Sequence, residues 1–375
     1  MDCTDQHYRY LMRQITQHTV LYTEMVSTGA ILSSIHAEHQ QSRHTPLAAI
    51  LARIPATAAP THAHAHAPPS LGRLLGYSPY ENPLVLQLGG NDPTELQFCA
   101  QVAQELGYDE VNLNVGCPSK NVKEGSFGAV LMKTPSVVAS CVEAMKKGVQ
   151  IPITVKHRIG VDEMDSYEQL RAFVHTVSLA GCDRFIIHAR KAWLKGLSPK
   201  ENRTIPPLIY DYVYRIKQEF PALKVELNGE VKTIEDIHYQ RQQVSTIPST
   251  GISPVFIIIT TITINNWFAE PWSIQGVDGV MIGRAAYSNP FLFAALDREF
   301  FGSTAEEVSR RDVVLRMIPG AKNWKKHLSE RHAKTTTPLR PDVLLEALEL
   351  TNHAALSSLP LAWQAQSAAT SAAHP

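Results

Sequence analysis

A cysteine stands directly before a proline in the stretch "VNLNVGCPSKNV" at residues 111–122. Because side chains alternate along a β-strand, Asn112 and Asn114 are expected to point to the same side. The proline after Cys117 has no N–H and ends the strand, so the thiol is expected on a rigid loop. A thiol placed there could act as a nucleophile, a redox partner or a proton donor.

Polar residues also end most of the other β-rich segments. These residues are Gln87, Asn114 with Cys117, Lys156 with His157, His188 with Arg190, Asn228 and Arg284. Any one of them could be a satisfied polar group of the core. In a parallel β/α barrel, however, the active site lies at the C-terminal ends of the strands. Six such ends in succession therefore predict a site.

Two glycine-containing strand ends indicate a phosphate-bearing ligand. The sixth β-rich segment ends in Asn228, Gly229 and Glu230, and the seventh has Gly283 and Arg284 near its end. Barrels often bind phosphate at the ends of their last two strands. Ordinary glycine turns are the alternative. Lys156 could pair with the anionic N1–C2=O edge of a reduced flavin, and Gln87 could bind its pyrimidine edge. Spacing alone does not distinguish flavin from another phosphate ligand, and an ion-paired lysine remains an alternative.

Seven β-rich segments alternate with helical ones, which predicts a parallel sheet in an α/β fold. They are "LYTEMVS", "LVLQLGG", "VNLNVGC", "ITVKHRI", "RFIIHAR", "KVELNGE" and "GVMIGRA". Seven strands are one fewer than a (β/α)8 TIM barrel, and the first helix, "DQHYRYLMRQIT", has no strand before it. We expect the first strand to be missing. In a rival interpretation the β-branched run "VFIIITTITI" at 255–264 is the eighth strand.

Composition changes along the chain predict its domains. Residues 1–302 form the predicted barrel, with insertions at about 34–70 and 239–276, and residues 303–355 a small basic helical domain. The Ser- and Ala-rich residues 356–375 are predicted to be a disordered tail.

Overall composition excludes some classes of protein. Lys plus Arg and Asp plus Glu both number 35 in 375 residues, so any nucleic-acid-binding face has to be local. Five widely spaced cysteines indicate a reducing compartment and no metal cluster. The longest apolar run is about ten residues, whereas a membrane helix needs roughly 20. We expect a cytoplasmic monomer, or a plastid or mitochondrial one if an N-terminal segment is missing.

Several long motifs resemble the tRNA-dihydrouridine synthases, specifically their A-type branch. They include "LYTEMVSTGAIL", "LQLGGNDPTEL", "YDEVNLNVGCPSKNVKEGSFGAVLM", "VKHRIGVDEMDSYE", "CDRFIIHARKAWLKGLSPKENRTIPPL" and "DGVMIGRAAYSNP". The resemblance implies reduction of the C5–C6 double bond of a D-loop uridine in tRNA, of the U20/U20a type. It also implies FMN as cofactor and NADPH as reductant.

The same resemblance implies residue roles. Cys117 matches the proton donor to C5, with hydride passing from the flavin to C6, and Asn114 matches the residue that holds the uracil. The FMN contacts would be Gln87, Lys156, His188, Asn228, Gly229, Glu230, Gly283 and Arg284. The tRNA-facing segment would include Arg190, Lys191, Lys195 and Ser198.

The chain departs from the family pattern in its missing first strand, its two insertions and its shortened helical domain. Two other functions therefore stay open. One is an FMN-dependent reductase of a small molecule, and the other is a catalytically impaired RNA-binding relative. The segment "HARKAWLKG" at 188–196 argues against the first, and the presence of Cys117 and Lys156 argues against the second.

Overall fold

A computed structural model of the chain describes residues 4–41, 69–243 and 276–317. The chain divides into two compact units, residues 1–307 and 308–375. The run at 255–264, most of both predicted insertions, the predicted tail and most of the predicted helical domain lie outside the described residues. The boundary expected after residue 302 stays a prediction.

Seven parallel strands form one sheet, in the order in which they occur along the chain. They are β1 Leu21–Ser27, β2 Leu84–Gly89, β3 Glu110–Val115, β4 Ile153–Arg158, β5 Arg184–His188, β6 Lys224–Asn228 and β7 Gly279–Met281. All seven predicted strands are confirmed. The polar residues predicted at strand ends therefore lie along one edge of the sheet.

Helices connect and follow the strands. They are α1 Gln6–Ile15, α2 Thr28–Gln41, α3 Pro69–Leu75, α4 Pro93–Glu105, α5 Lys120–Glu124, α6 Pro135–Gly148, α7 Tyr167–Leu179, α8 Tyr210–Glu219, α9 Ile234–Gln242, α10 Arg284–Ser288, α11 Leu296–Phe301 and, in the second unit, α12 Arg310–Met317. Short 3-10 helices span Pro79–Glu81, Gly128–Lys133, Glu201–Arg203 and Pro290–Phe293. None of the described helices is both long and apolar enough to span a bilayer.

The sequence sets where the central helices begin. Asp92 caps α4 by accepting hydrogen bonds from two backbone N–H groups, and Pro93 follows at the first helical position. Ser166 and Gln169 form a reciprocal capping box at the start of α7. Helix α4 packs against α6 and against β3, and α6 packs against β4. The outer faces of β3 and β4 are therefore covered by helices.

Side-chain contacts that skip a strand, made by Glu110 with Arg184 and with Tyr22, show that the sheet curls. Arg184 on β5 forms ion pairs with Glu110 on β3 and with Glu226 on β6. The Tyr22 hydroxyl of β1 lies 3.5 Å from Glu110. The seven strands therefore form part of an α/β barrel, and a cavity of about 350 Å³ lies between β1 and β7.

Aspartates fix the strands at their N-terminal ends. Each aspartate lies immediately before a strand. Its carboxylate accepts a hydrogen bond from a backbone N–H near the start of the neighbouring strand that comes earlier in the sequence. The pairs are Asp109 with Leu84 (2.6 Å), Asp183 with Ile153 (2.7 Å) and Asp278 with Val225 (2.7 Å). These bonds set the register of neighbouring strands, so their C-terminal ends lie level at the mouth of the barrel.

Candidate functional site

The loop of residues 116–119, here called the cysteine loop, is held by a side chain at the end of β3. Asn114 Oδ1 accepts hydrogen bonds from the backbone N–H groups of Gly116 (3.1 Å) and Cys117 (2.9 Å). The Ala129 N–H donates to the Cys117 carbonyl at 2.9 Å. Gly128 has a φ of +72°, and a Cβ there would lie 2.6 Å from that carbonyl, so the contact requires glycine.

Cys117 differs from the other described cysteines in exposure. It is half-buried, whereas Cys99, Cys141 and Cys182 are buried. Burial raises the pKa of the Cys99 and Cys141 thiols to about 12, which keeps them protonated and unreactive. Among the described cysteines, the thiol suited to reaction with a ligand is therefore the one at the barrel mouth.

Three amide side chains line the barrel below this loop. Gln87 Nε2 donates to Asn112 Oδ1 at 2.9 Å, and Asn114 Nδ2 donates to Gln87 Oε1 at 2.8 Å. Both asparagines thus contact one glutamine, which confirms the prediction that they share a side of the strand. The arrangement gives the barrel mouth a wall of hydrogen-bonding groups.

Positive charge is concentrated beside that wall. Burial, and then the neighbouring Arg158 guanidinium, lowers the pKa of Lys156 to about 8. Burial and the positive charges of Arg158 and Lys156 lower the pKa of His188 to about 2, so its imidazole is neutral. No carboxylate in the described part of the chain forms an ion pair with Lys156. An anionic ligand would supply the missing negative charge.

Arg158 connects the loops that surround the site. Its Nε donates to the Gly116 carbonyl at 3.1 Å, and its Nη1 donates to the carbonyls of Lys191 (3.0 Å) and Asn202 (2.7 Å). Arg158 is not among the site residues that the strand ends predict. A signal was available, because Arg158 lies two residues after Lys156 and so faces the same side of β4.

His157 lies on the other face of the same strand. It is fully buried, its ring centroid is 4.8 Å from that of Phe173 on α7, and it also contacts Phe185. Its Nδ1 is 2.7 Å from the Arg158 carbonyl, and burial lowers the pKa of the imidazole to about 4. Grouping His157 with the other polar strand ends was therefore wrong, because adjacent strand residues face opposite sides.

The two predicted phosphate loops lie side by side. Asn228 Nδ2 donates to the Met281 carbonyl at 2.8 Å, which joins the ends of β6 and β7. Gly229 has a φ of +135°, and a Cβ there would lie 2.8 Å from the Leu208 side chain. A Cβ at Gly283 would meet nothing within 4 Å, so the second loop borders open space.

Glu230 is surrounded by cations. It contacts Arg284, lies 2.5 Å from the Lys232 ammonium, and lies 3.5 Å from the Arg190 guanidinium. Hydrogen bonding to Lys232 and the charge of Arg284 lower the pKa of Glu230. These cations give the two loops a positive field, and Glu230 partly neutralises it.

The segment predicted to face tRNA contains inward-facing and exposed residues. Arg190 is buried and donates to the Pro206 carbonyl. Lys191 pairs with Asp165 at 2.6 Å and lies 4.1 Å from the centre of the Trp193 ring. Both side chains therefore contribute to the shape of the loop.

Lys195 and Ser198, in contrast, are exposed. Ser198 Oγ accepts from the Glu201 N–H at 3.2 Å, and its own N–H donates to the Glu201 carboxylate at 2.8 Å. This reciprocal pair fixes the turn and leaves the Lys195 ammonium facing solvent. Within the described ranges, no group of three or more His, Cys, Asp or Glu side chains could hold a metal ion.

Comparison with known proteins gives the family. The dihydrouridine synthase family model matches residues 1–247 and 268–338. The chain belongs to the dihydrouridine synthase family. Among curated relatives, the tRNA-dihydrouridine(20/20a) synthase of Synechocystis sp. is 45% identical over 327 residues, which cover 87% of this chain and 78% of the relative.

Two further relatives carry the same name. The Shewanella oneidensis protein is 42% identical, with 89% of this chain and 87% of the relative covered. The Escherichia coli K12 protein is 40% identical, with 93% and 89% covered. The resemblance inferred from the motifs is confirmed, and the chain is an oxidoreductase of the dihydrouridine synthase family.

Proposed function

We propose that this protein is a tRNA-dihydrouridine synthase that reduces the C5–C6 double bond of uridine 20 or 20a in the D-loop, with FMN as cofactor and NADPH as reductant. One observation carries the proposal. The half-buried Cys117 thiol lies at the same end of the barrel as the Lys156 cation, which has no ion-pair partner in the described part of the chain. The names of the curated relatives support tRNA as the substrate.

The residues at the barrel mouth fit FMN in charge and shape. Lys156 has no acidic partner among the described residues. Its ammonium group is therefore available to pair with the anionic edge of a flavin ring. Gly229 adopts a backbone conformation that favours glycine, and the space before Gly283 is open. The proposed FMN contacts are Gln87, Lys156, His188, Asn228, Gly229, Glu230, Gly283 and Arg284.

Reduction of the uracil ring needs one hydride and one proton. When bound, the reduced flavin supplies the hydride that C6 receives. Cys117 donates the proton to C5, and its backbone is held by Asn114 so that the thiol keeps its position. Asn114 also holds the uracil edge through its remaining amide hydrogen. Lys156 contributes positive charge where the cofactor carries negative charge.

A uridine within folded tRNA has to leave its stack to reach such a pocket. Lys195 and Ser198, exposed on the loop after β5, are the proposed contacts to the RNA backbone. Arg190 and Lys191 would support that loop from within, and their predicted contact with tRNA stays a prediction. A monomeric state and a cytoplasmic location likewise stay predictions.

The test uses the purified full chain with FMN, NADPH and an unmodified tRNA transcript. We expect a bound-flavin absorption spectrum that NADPH bleaches, and dihydrouridine at position 20 or 20a by mass spectrometry. Cys117→Ala is expected to keep the flavin spectrum and to lower turnover by about 10²–10⁴-fold. Cys141→Ala, which removes a buried thiol on α6, is the matched control and is expected to keep turnover.

Two results would contradict the proposal. Turnover of Cys117→Ala equal to that of the unaltered protein would exclude the thiol as proton donor. Reduction of free uridine or uracil as fast as of tRNA would favour the reductase of a small molecule.

A further inference from the structure

A row of polar side chains crosses the inner face of the sheet below the cysteine loop. The row takes one residue from each of four consecutive strands, and neighbouring members are paired in register. They are Gln87, Asn112, Thr154 and Arg184. Asn112 and Thr154 are fully buried. Asn112 Nδ2 donates to Thr154 Oγ1 at 2.9 Å, and Thr154 Oγ1 donates to Glu110 Oε1 at 2.6 Å. An unbroken chain of hydrogen bonds therefore runs from the barrel floor to the cysteine loop.

At the end near the cysteine loop, this chain of hydrogen bonds favours one orientation of its side-chain amides. The backbone N–H groups of Gly116 and Cys117 only donate, so the Asn114 atom that they meet has to be the oxygen. Asn114 then meets Gln87 with its Nδ2, and Gln87 accepts with its Oε1. Gln87 in turn has to donate to Asn112. The backbone donors thus favour one orientation of the three side-chain amides.

The lower end imposes the same orientation independently. Glu110 accepts from Arg184 at Oε2 and from Thr154 at Oε1, and Arg184 also pairs with Glu226 at 3.0 Å. Burial raises the pKa of Glu110 to about 7, against the opposing charge of Arg184, so the group is a carboxylate at pH 8. A carboxylate requires the Thr154 hydroxyl to donate. Its oxygen is then left to accept from Asn112.

We propose that Thr154 is a positioning residue whose hydroxyl completes this chain of hydrogen bonds and so stabilises the orientation in which Asn114 acts as a hydrogen-bond donor towards a bound pyrimidine. The inference rests on the proposed function for its substrate. Asn114 Nδ2 carries two hydrogens, and Gln87 accepts one of them. The second hydrogen matches the carbonyl oxygen of uracil and opposes the amino group of cytosine. The chain of hydrogen bonds thereby selects for uracil.

Removal of the Thr154 hydroxyl leaves no orientation in which all partners are satisfied. Without it, the buried Asn112 Nδ2 loses its acceptor. A flip of Asn112 would force Gln87 and then Asn114 to flip, and Asn114 would present an N–H to backbone N–H groups. The unpaired Asn112 donor can be relieved only by flips that break the bonds holding the cysteine loop, so loss of the hydroxyl weakens those bonds.

The test compares Thr154→Val, which keeps the shape without the hydroxyl, with Thr154→Ser, which keeps the hydroxyl, both at pH 8 in the full chain. The first readout needs neither cofactor nor tRNA. It is the rate at which iodoacetamide alkylates Cys117, followed by mass spectrometry of its peptide. We expect alkylation about tenfold faster in Thr154→Val and within about twofold of the unaltered protein in Thr154→Ser.

The second readout is turnover. We expect Thr154→Val to lower kcat on uridine-containing tRNA about tenfold. Equal effects of the valine and serine variants on alkylation and kcat would overturn the proposal, since packing alone would then explain them. Unaltered alkylation in Thr154→Val would also overturn it.

Failure of the proposed function would be recognised separately. An unaltered protein that makes no dihydrouridine would refute that function, and the alkylation comparison would still decide the role of Thr154. If Thr154→Val does not fold, Thr154→Ala is the second variant, because it also removes the hydroxyl that accepts from Asn112. Alkylation of Thr154→Ala at the unaltered rate would then overturn the proposal.

Discussion

Lys156 provides a quantitative test of the charge at the barrel mouth. Burial lowers the pKa of its ammonium from 10.5 to about 8, and Arg158 adds to the effect. An anion bound beside Lys156 would raise that pKa again. Binding of FMN should therefore take up a proton at any pH where the lysine of the cofactor-free protein is neutral.

The difference between a pKa of 10.5 and one of about 8 corresponds to roughly 3.4 kcal/mol, at about 1.36 kcal/mol per pKa unit. Below pH 8 the lysine is charged with and without ligand, so affinity does not vary through it. Above pH 8, affinity falls by up to about tenfold per pH unit until the restored pKa is reached. At pH 9 about 0.9 proton should be taken up per FMN bound.

The assay is isothermal titration calorimetry of FMN into cofactor-free protein, at pH 7 and pH 9, in two buffers of different ionisation enthalpy. We expect proton uptake at pH 9, little at pH 7, and none through this group in Lys156→Met. Lys146→Met is the matched control, because Lys146 pairs with Asp183 at the opposite end of the barrel, at 2.9 Å. Equal uptake by Lys156→Met and the unaltered protein would refute the reasoning.

Two other substitutions test the framework of the site. Gly229→Ala places a Cβ 2.8 Å from a leucine side chain at a φ of +135°, so we expect about 1–3 kcal/mol of strain and weaker FMN binding in a fluorescence titration. In the control Gly29→Ala the Cβ meets nothing within 4 Å, and equal FMN affinities would contradict this account. Lys217→Met removes the cation 2.8 Å from the buried Asp278 carboxylate, and we expect urea unfolding to show a loss of about 3–5 kcal/mol. The exposed Lys224→Met should change stability little, and equal losses in the two lysine variants would exclude the buried pair as the cause.

The strands and the shared face of Asn112 and Asn114 were predictable because they depend on local pattern. A strand has a side-chain period of two, and alternation with helices gives parallel order. The same period could have separated Lys156 from His157, and could have added Arg158, since residues two apart share a face. The relevant information was present in the stretch "VKHR" at 155–158.

The hydrogen-bond chain to Thr154 was not predictable in the same way. Asn112 and Thr154 are 42 residues apart and meet because β3 and β4 pair in one register. A shift of one residue would turn Thr154 to the outer face. The register depends on long-range contacts, among them the Asp183 carboxylate that accepts from the Ile153 N–H. Contacts of this kind leave no periodic signal in the sequence.

The buried cations of the barrel differ in how their charge is compensated. At the floor, Arg184 pairs with two glutamates, and Lys217 pairs with Asp278. At the mouth, burial lowers the pKa of both Lys156 and Arg158. A buried charge without a partner costs stability, whereas a paired one costs far less.

The position beside Lys156 is therefore one at which a ligand can add stability, because an anion there offsets a cost that the folded chain already bears. The Lys156→Met protein should unfold at a higher urea concentration than the cofactor-free unaltered protein at pH 7, although it binds FMN less tightly. A purely structural lysine would change both properties in the same direction. Opposite changes in stability and affinity would thus mark Lys156 as a residue retained for its ligand.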